Sequence, residues 1–181
     1  MSEVPPAATS DAERFEAIVV PEIDVLLRVA TSMTRDRRDA EDLVQETLLR
    51  AYRSISRFDG RHPRAWLLTI LRNAEVNRHR RRRPSLLGAD HHDRPEPSAD
   101  DGRSAEDVVI AASPDHDVLA ALASLPGPFR EAVELIDLAG LSYAEAATIA
   151  GVPEGTLMSR AHRARRKLRS RLGGPSSGGV R

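Results

Sequence analysis

From Ala12 to about His79, apolar residues return every three or four positions, the period of an amphipathic helix, with interruptions near Thr34 to Arg37 and at Asp59, Gly60 and Pro63. The clearest helix runs from about Arg38 to Ile55. Its stripe is Ala40, Leu43, Val44, Thr47, Leu48, Ala51, Tyr52 and Ile55. A second face carries Asp42, Gln45, Glu46, Leu49 and Arg53, so Leu49 is an apolar residue set among charges. That combination suits a protein-binding surface, although single exposed leucines are also ordinary. After the turn, Trp66, Leu67, Ile70, Leu71 and Ala74 are expected to be buried, while Thr69, Arg72, Asn73, Val76 and Arg80 point elsewhere. The helix continues into the basic run Arg78 to Arg83, and Pro84 ends it because proline lacks an amide hydrogen and clashes with the preceding turn.

The periodicity then lapses. From Pro84 to about Asp115 the chain has four prolines, many acids and few large apolar residues, the composition of a linker. Only Val108 to Ala112 could form a short helix. A flexible coil of roughly 30 residues spans about 30 Å, and at most ~100 Å when extended. That range covers two turns of duplex DNA at ~35 Å each. Periodicity resumes near Val118, with a helix to Leu125, a break at Pro126 and Pro128, and a helix from about Pro128 to Ala139 that Gly140 terminates. Another helix starts at Ser142, whose spacing to Glu145 fits a capping box. Gly151, Val152 and Pro153 make a turn before a long helix reaching about Leu172.

A short helix, a glycine-containing turn and an arginine-rich second helix form a helix-turn-helix signal. On the second helix Leu157, Ala161, Ala164, Leu168 and Leu172 make the inner stripe, leaving Ser159, His162, Arg163 and Arg166 outside. Such a face can enter a major groove, where arginine reads guanine edges and Ser or His adapts to several bases. Arg160, Arg165, Lys167 and Arg169 fall on the flanks and are better placed for phosphates.

Charge changes the picture because it is sorted. The formal net charge is zero, yet counting basic against acidic residues gives 8 and 12 over residues 1–60, 8 and 1 over 61–84, 2 and 9 over 85–120, 1 and 5 over 121–155, and 8 and 0 over 156–181. Two basic blocks separated by an acidic one suggest two anion-binding surfaces, with nucleic acid the first candidate. The absence of cysteine excludes disulfides, thiolate zinc sites and thiol redox sensing by the chain itself. No stretch approaches the ~18 apolar residues of a spanning helix, and Met1 to Ser10 lacks the basic start and apolar core of a secretion signal. A cytoplasmic location without membrane insertion is expected.

The segments Asp39-Ala40-Glu41-Asp42-Leu43-Val44-Gln45-Glu46-Thr47 and Ala65-Trp66-Leu67-Leu68-Thr69-Ile70-Leu71-Arg72-Asn73 resemble the core-polymerase-binding helix and the promoter-melting, minus-ten-reading helix of extracytoplasmic-function (ECF) sigma factors. Gly140-Leu141-Ser142-Tyr143 and the run from Gly155 to Arg165 resemble their minus-thirty-five reader. The resemblance implies an all-α chain of two small helical domains joined by a flexible acidic linker, the second a helix-turn-helix domain. The expected boundaries are 12–84, 85–115 and 116–172, with disordered tails at 1–11 and 173–181.

The resemblance also implies roles. Asp42, Gln45, Glu46 and Leu49 would dock on core RNA polymerase. The loop with Phe58, Asp59, Arg61, His62 and Arg64 would capture an unpaired base, and Arg72, Asn73, Val76, Asn77 and Arg80 would approach the minus-ten DNA. Thr156, Met158, Ser159, Arg160, His162, Arg163 and Arg166 would face the minus-thirty-five element of promoter DNA, and an anti-sigma factor would hold the free protein inactive. The loop from Phe58 to Trp66 is one residue shorter than the family pattern, and Met158 stands where a polar or basic residue is common. Strand opening needs a base held outside the stack, at a few kcal/mol. Aromatics are only 3% of the chain, so one polar loop pocket is expected instead of a row of stacking platforms.

Other function classes have less behind them. A helix-turn-helix regulator acting without polymerase would bind its site alone, as a two-fold dimer. A metal hydrolase would have to use His91, His92 and Asp93, which lie in the least structured segment without a second ligand cluster. The run Arg78 to Arg83 could bind acidic lipid or RNA, but the acidic segment that follows argues against a simple membrane anchor. No catalytic triad, P-loop or metal motif is present, so neither enzymatic activity nor a cofactor is expected.

Overall fold

A computed structural model describes residues 10–34, 36–82 and 114–172. The linker expected at 85–115 lies outside the described residues except for its last two positions. So do the short helix at Val108 to Ala112, His91 to Asp93, residues 1–9 of the N-terminal tail and the tail 173–181. The chain divides into two compact units, Met1–Arg83 and Pro84–Arg181. Every regular element among the described residues is helical.

The first unit contains α1 (Asp11–Val19), a 3-10 turn at Val20–Glu22, α2 (Ile23–Thr34), α3 (Arg37–Ser54), a 3-10 turn at Ile55–Arg57 and α4 (Pro63–Arg82). The expected tail gives way to helix at its last residue, because Ser10 forms a full capping box with Glu13 and opens α1 at Asp11. Asp36 caps α3 by accepting from the Asp39 amide, which accounts for the interruption near Thr34 to Arg37. The core joins Val25, Leu26, Val29 and Ala30 of α2 to Ala40, Leu43, Val44 and Ala51 of α3 and to Leu67, Leu68, Leu71 and Ala74 of α4.

Two expected stripes need adjustment. On α3, Tyr52 is half exposed and meets Phe15 of α1 edge to face at 5.3 Å, so α1 covers one side of the ring without burying it. On α4, Leu68 and Glu75 are buried whereas Trp66 and Ile70 are only partly so. The buried side is rotated toward the next residue of each pair, because α4 packs against both α2 and α3. Glu75 meets this burial with a 2.8 Å contact to His79 one turn on.

The second unit contains α5 (Pro114–Ala123), α6 (Gly127–Val133), a π-helical stretch at Glu134–Leu138, α7 (Tyr143–Ala150) and α8 (Glu154–Leu172). Helix starts at Pro114, inside the stretch expected as linker, since proline is well suited to a first helical position. Leu122, Leu125, Val133 and Ala164 form a buried cluster, with Phe129, Leu138 and Leu168 packed against it. The helix expected to end at Ala139 finishes in a π turn: the Ala139 amide donates to the Glu134 carbonyl, five residues back, at 3.0 Å. Periodicity does not register this extra residue per turn. Gly140, φ +69°, then reverses the chain.

Candidate nucleic-acid interface

Residues that sequence places together are here held by contacts of two ranges. In the first unit Asp42, Gln45 and Leu49 are exposed on α3 and Glu46 is half-buried, with Leu49 at 60% exposure. They share a face because they stand three and four residues apart on one straight helix. The core takes the other face, so nothing in the unit's own packing accounts for Leu49.

Between Arg57 and Pro63 the backbone leaves regular structure. Gly60 has φ +80° and His62 φ +49°, the left-handed region that residues with a Cβ enter at a cost. The Arg61 amide donates to the Asp59 carboxylate at 2.9 Å. Both ends of this loop are tied down. Phe58 is 9% exposed and stacks on Trp66, with ring centroids 4.2 Å apart and planes 14° from parallel. Arg14 of α1 donates through Nη2 to the Phe58 carbonyl at 2.9 Å. At the far end, Arg64 donates through Nε to Glu22 at 2.7 Å. Asp59, Arg61 and His62 remain exposed between these anchors.

Of the residues expected at the minus-ten DNA, Phe58 and Arg64 therefore anchor the loop, while the three between them are presented to solvent. Along α4, Asn73, Val76 and Arg80 are exposed and Arg72 and Asn77 half-buried. Arg78 of the basic run is used within the fold: its Nη2 meets the Asp39 carboxylate at 2.8 Å and its Nη1 donates to the Asp39 carbonyl at 2.9 Å.

In the second unit, Ser142 accepts from the Glu145 amide at 3.3 Å while Glu145 accepts from the Ser142 amide at 3.0 Å, completing the expected capping box. Gly151 caps the other end of α7 in the left-handed conformation, φ +67°, and Val152 donates back to the Ala147 carbonyl at 3.1 Å. This turn delivers α8 with Leu157, Ala161 and Ala164 buried. Thr156, Met158, Ser159, His162, Arg163 and Arg166 are exposed, and Arg160 is partly so. Leu172 is 48% exposed, a departure from the expected stripe, because the helix outruns the core beneath it.

The flanking cations do not all face outward. Arg165 forms a fork on Asp137 of the π stretch, Nε to Oδ2 at 3.0 Å and Nη2 to Oδ1 at 2.7 Å, and its Nη1 donates to the Tyr143 hydroxyl at 3.1 Å. These hydrogen bonds, Asp137 first and Tyr143 second, raise the guanidinium still further above its ordinary value. Lys167 lies 5.3 Å from the Phe129 ring centre, a cation over an aromatic face. Arg14, Glu22, Asp137 and the structural use of Arg165 were not legible in sequence. Their partners stand 44, 42 and 28 residues away, and no periodic pattern reports such pairs.

Among the described residues no group of three or more His, Asp or Glu could hold a metal ion, and no helix is long and apolar enough to cross a membrane.

Family models for sigma-70 region 2 and sigma-70 region 4 match residues 19–84 and 115–168. The chain is 36% identical over 166 residues to the ECF RNA polymerase sigma factor SigE of Mycolicibacterium smegmatis, covering 90% of this chain but 63% of that protein. It is 36% identical over 177 residues to the ECF sigma factor SigL of Mycobacterium tuberculosis, covering 95% of this chain and 96% of that one. Among solved structures it is similar to the sigma factor RpoE bound to the anti-sigma factor NepR from Bartonella quintana, with 31% identity, a TM-score of 0.68, and coverage of 89% of this chain and 98% of that one. CnrH, solved with the cytosolic domain of CnrY, gives 26% identity, a TM-score of 0.64, and coverage of 92% and 96%.

Proposed function

The chain belongs to the ECF sigma factors of the sigma-70 family, and from that premise we propose how its two units divide the work of promoter-specific initiation. The first unit, through Asp42, Gln45, Glu46 and Leu49, docks on core RNA polymerase. Its loop from Phe58 to Arg64 holds an unpaired base of the minus-ten element, with α4 beside it contributing Arg72, Asn73, Val76, Asn77 and Arg80. The second unit places α8 in the major groove of the minus-thirty-five element, where Ser159, His162, Arg163 and Arg166 face base edges and Arg160 meets phosphate.

The observation that carries this reading is that each unit spends one side of a helix on its own core and leaves a chemically distinct side exposed: Leu49 among polar residues on α3, and a Ser/His/Arg face on α8. The loop supports a capture role because Phe58 and Trp66 are stacked on each other. That leaves Asp59, Arg61 and His62 to make a polar pocket. Two solved relatives were crystallised or determined with NepR and CnrY, and an anti-sigma partner covering exposed faces is proposed here too, in a cytoplasmic setting. A helix-turn-helix regulator independent of polymerase is not favoured, because both sigma regions match in order.

The test is core-dependent transcription from a promoter library, comparing the natural chain with a Gln45→Ala, Leu49→Ala variant. Selective initiation that the variant loses supports the docking face. Sequence-specific binding by the protein alone, without core-dependent initiation, would overturn the reading in favour of an ordinary regulator.

A further inference from the structure

We propose that Arg165 is a positioning residue for minus-thirty-five discrimination: it sets the rotation of α8 against the rest of the helix-turn-helix through Asp137 and Tyr143, and does not itself contact a phosphate. The inference rests on the reading that α8 enters the groove.

Three elements meet at this side chain. Asp137 comes from the π stretch, Tyr143 is the first residue of α7 after its Ser142 cap, and Arg165 sits in the middle of α8. Each of the three guanidinium nitrogens has a partner between 2.7 and 3.1 Å away. A two-pronged Arg–carboxylate contact fixes direction as well as distance, because both nitrogens and both oxygens lie near one plane. The cation is also matched by a carboxylate, so it offers little net charge to DNA.

Leu157 and Leu168 pack near the two ends of α8, and the apolar contacts beneath its middle, where Arg165 sits beside them, resist rotation weakly. Two of the three buried residues of α8, Ala161 and Ala164, are alanines, whose methyl groups set how closely the helix approaches but resist turning about its axis weakly. With side chains the helix is about 10–12 Å across, so a turn of roughly 10° moves the tips of Ser159 and His162 by about 1 Å. Hydrogen bonds to base edges tolerate about half that. A residue that stops the turn therefore affects which bases are read more than it affects attraction to the duplex.

Arg163 and Arg166, both exposed on the outer side of the same helix, remain available to DNA. Sorting the arginines of α8 by position alone would place Arg165 with the phosphate contacts; its partners assign it to the scaffold.

The test uses holoenzyme assembled with the natural chain, Arg165→Gln or Asp137→Asn, on a matched promoter and on single-base changes in the minus-thirty-five element, across a range of salt. The expected result is that both variants lose roughly five- to tenfold in discrimination between matched and mismatched elements. The slope of log affinity against log salt should stay at the natural value in Arg165→Gln, since no phosphate contact is lost. Partial unfolding would lower binding to every promoter alike and leave the discrimination ratio unmoved, so Asp137→Asn, which removes no cation, separates positioning from a purely structural role. The proposal is overturned if Arg165→Gln lowers the slope by about one with discrimination intact, or if Asp137→Asn keeps the natural ratio. Natural holoenzyme indifferent to the minus-thirty-five bases would instead sink the reading of α8, and the proposal with it.

Discussion

The two parts of this chain proposed to face DNA are held in shape by different means. In the second unit the proposed reading surface is one side of a regular helix, started by a capped neighbour and a glycine turn, so most of its local geometry comes from residues within four positions of one another. In the first unit the surface between Phe58 and Arg64 is a loop with two residues in the left-handed region, fixed by α1 and the turn after it. A helix carries its own hydrogen bonds and can be presented by a small core. A loop has none to spare, so its shape must be imposed from outside. Distant substitutions should therefore change the path of the loop itself, whereas on α8 they should leave the helix intact and alter only its rotation, through Asp137.

The largest expected effect breaks the loop's anchor. Phe58→Ala removes a buried ring stacked on Trp66, and large-to-small changes of this kind cost about 3–5 kcal/mol. Thermal unfolding should show the first unit destabilised by about 3 kcal/mol. Met158→Ala on the exposed face of α8 should change the second unit by less than about 0.5 kcal/mol. Equal losses in the two units would remove the contrast between an anchored loop and a self-supporting helix.

Next in size is the cap. Ser142→Ala deletes the acceptor of the Glu145 amide and should cost the second unit about 1 kcal/mol. Ser10→Ala, in the equivalent capping box at the start of the first unit, should cost its own unit a similar amount. Only the Ser142 change lies beside the proposed reader, so only it should weaken minus-thirty-five binding in a promoter-binding assay. Loss of that binding by both variants would mean that the caps act through global stability.

These two boxes also mark what sequence can carry. Ser142 and Glu145 are three residues apart, and Gly151 announces its turn by its own identity, so the helix-turn-helix and the outer face of α8 were legible. The inner face of α4 was read in part: Leu67, Leu71 and Ala74 are buried as expected, but Leu68 and Glu75 replace Trp66 and Ile70 at its edges, because the edges depend on where α2 and α3 press. The π turn at Glu134–Leu138 was not legible, since it leaves helical composition unchanged while altering the register. Arg165 was assigned to phosphate because a flank position and a positive charge are all that sequence offers; Asp137 reaches it only through the fold.

A smaller effect tests the loop's outer tie. The Arg64–Glu22 pair joins a side chain 38% exposed to one 14% exposed, and pairs of this kind stabilise by about 1 kcal/mol or less. Glu22→Gln should therefore leave the unfolding midpoint of the first unit nearly unchanged. Because Glu22 ties the far end of the loop proposed to capture a base, strand opening in a permanganate footprint should fall several-fold, with polymerase binding intact. Unchanged opening would show that the loop keeps its shape without the tie, and the two regions would then differ less than their construction implies.

The smallest expected effect separates backbone from side chain at one residue. His62, at φ +49°, pays roughly 1 kcal/mol for a conformation that glycine enters freely. Glycine, however, loses about 0.5–1 kcal/mol more backbone entropy on folding. The two terms nearly cancel, so His62→Gly should shift stability by less than about 0.5 kcal/mol, with the loop path retained because Pro63 still starts α4 and Trp66 can still donate to the carbonyl of residue 62. Any fall in open-complex formation then belongs to the missing imidazole, and base capture uses the side chain. Opening at the natural rate would mean that residue 62 supplies only the bend, leaving Asp59 and Arg61 to hold the base.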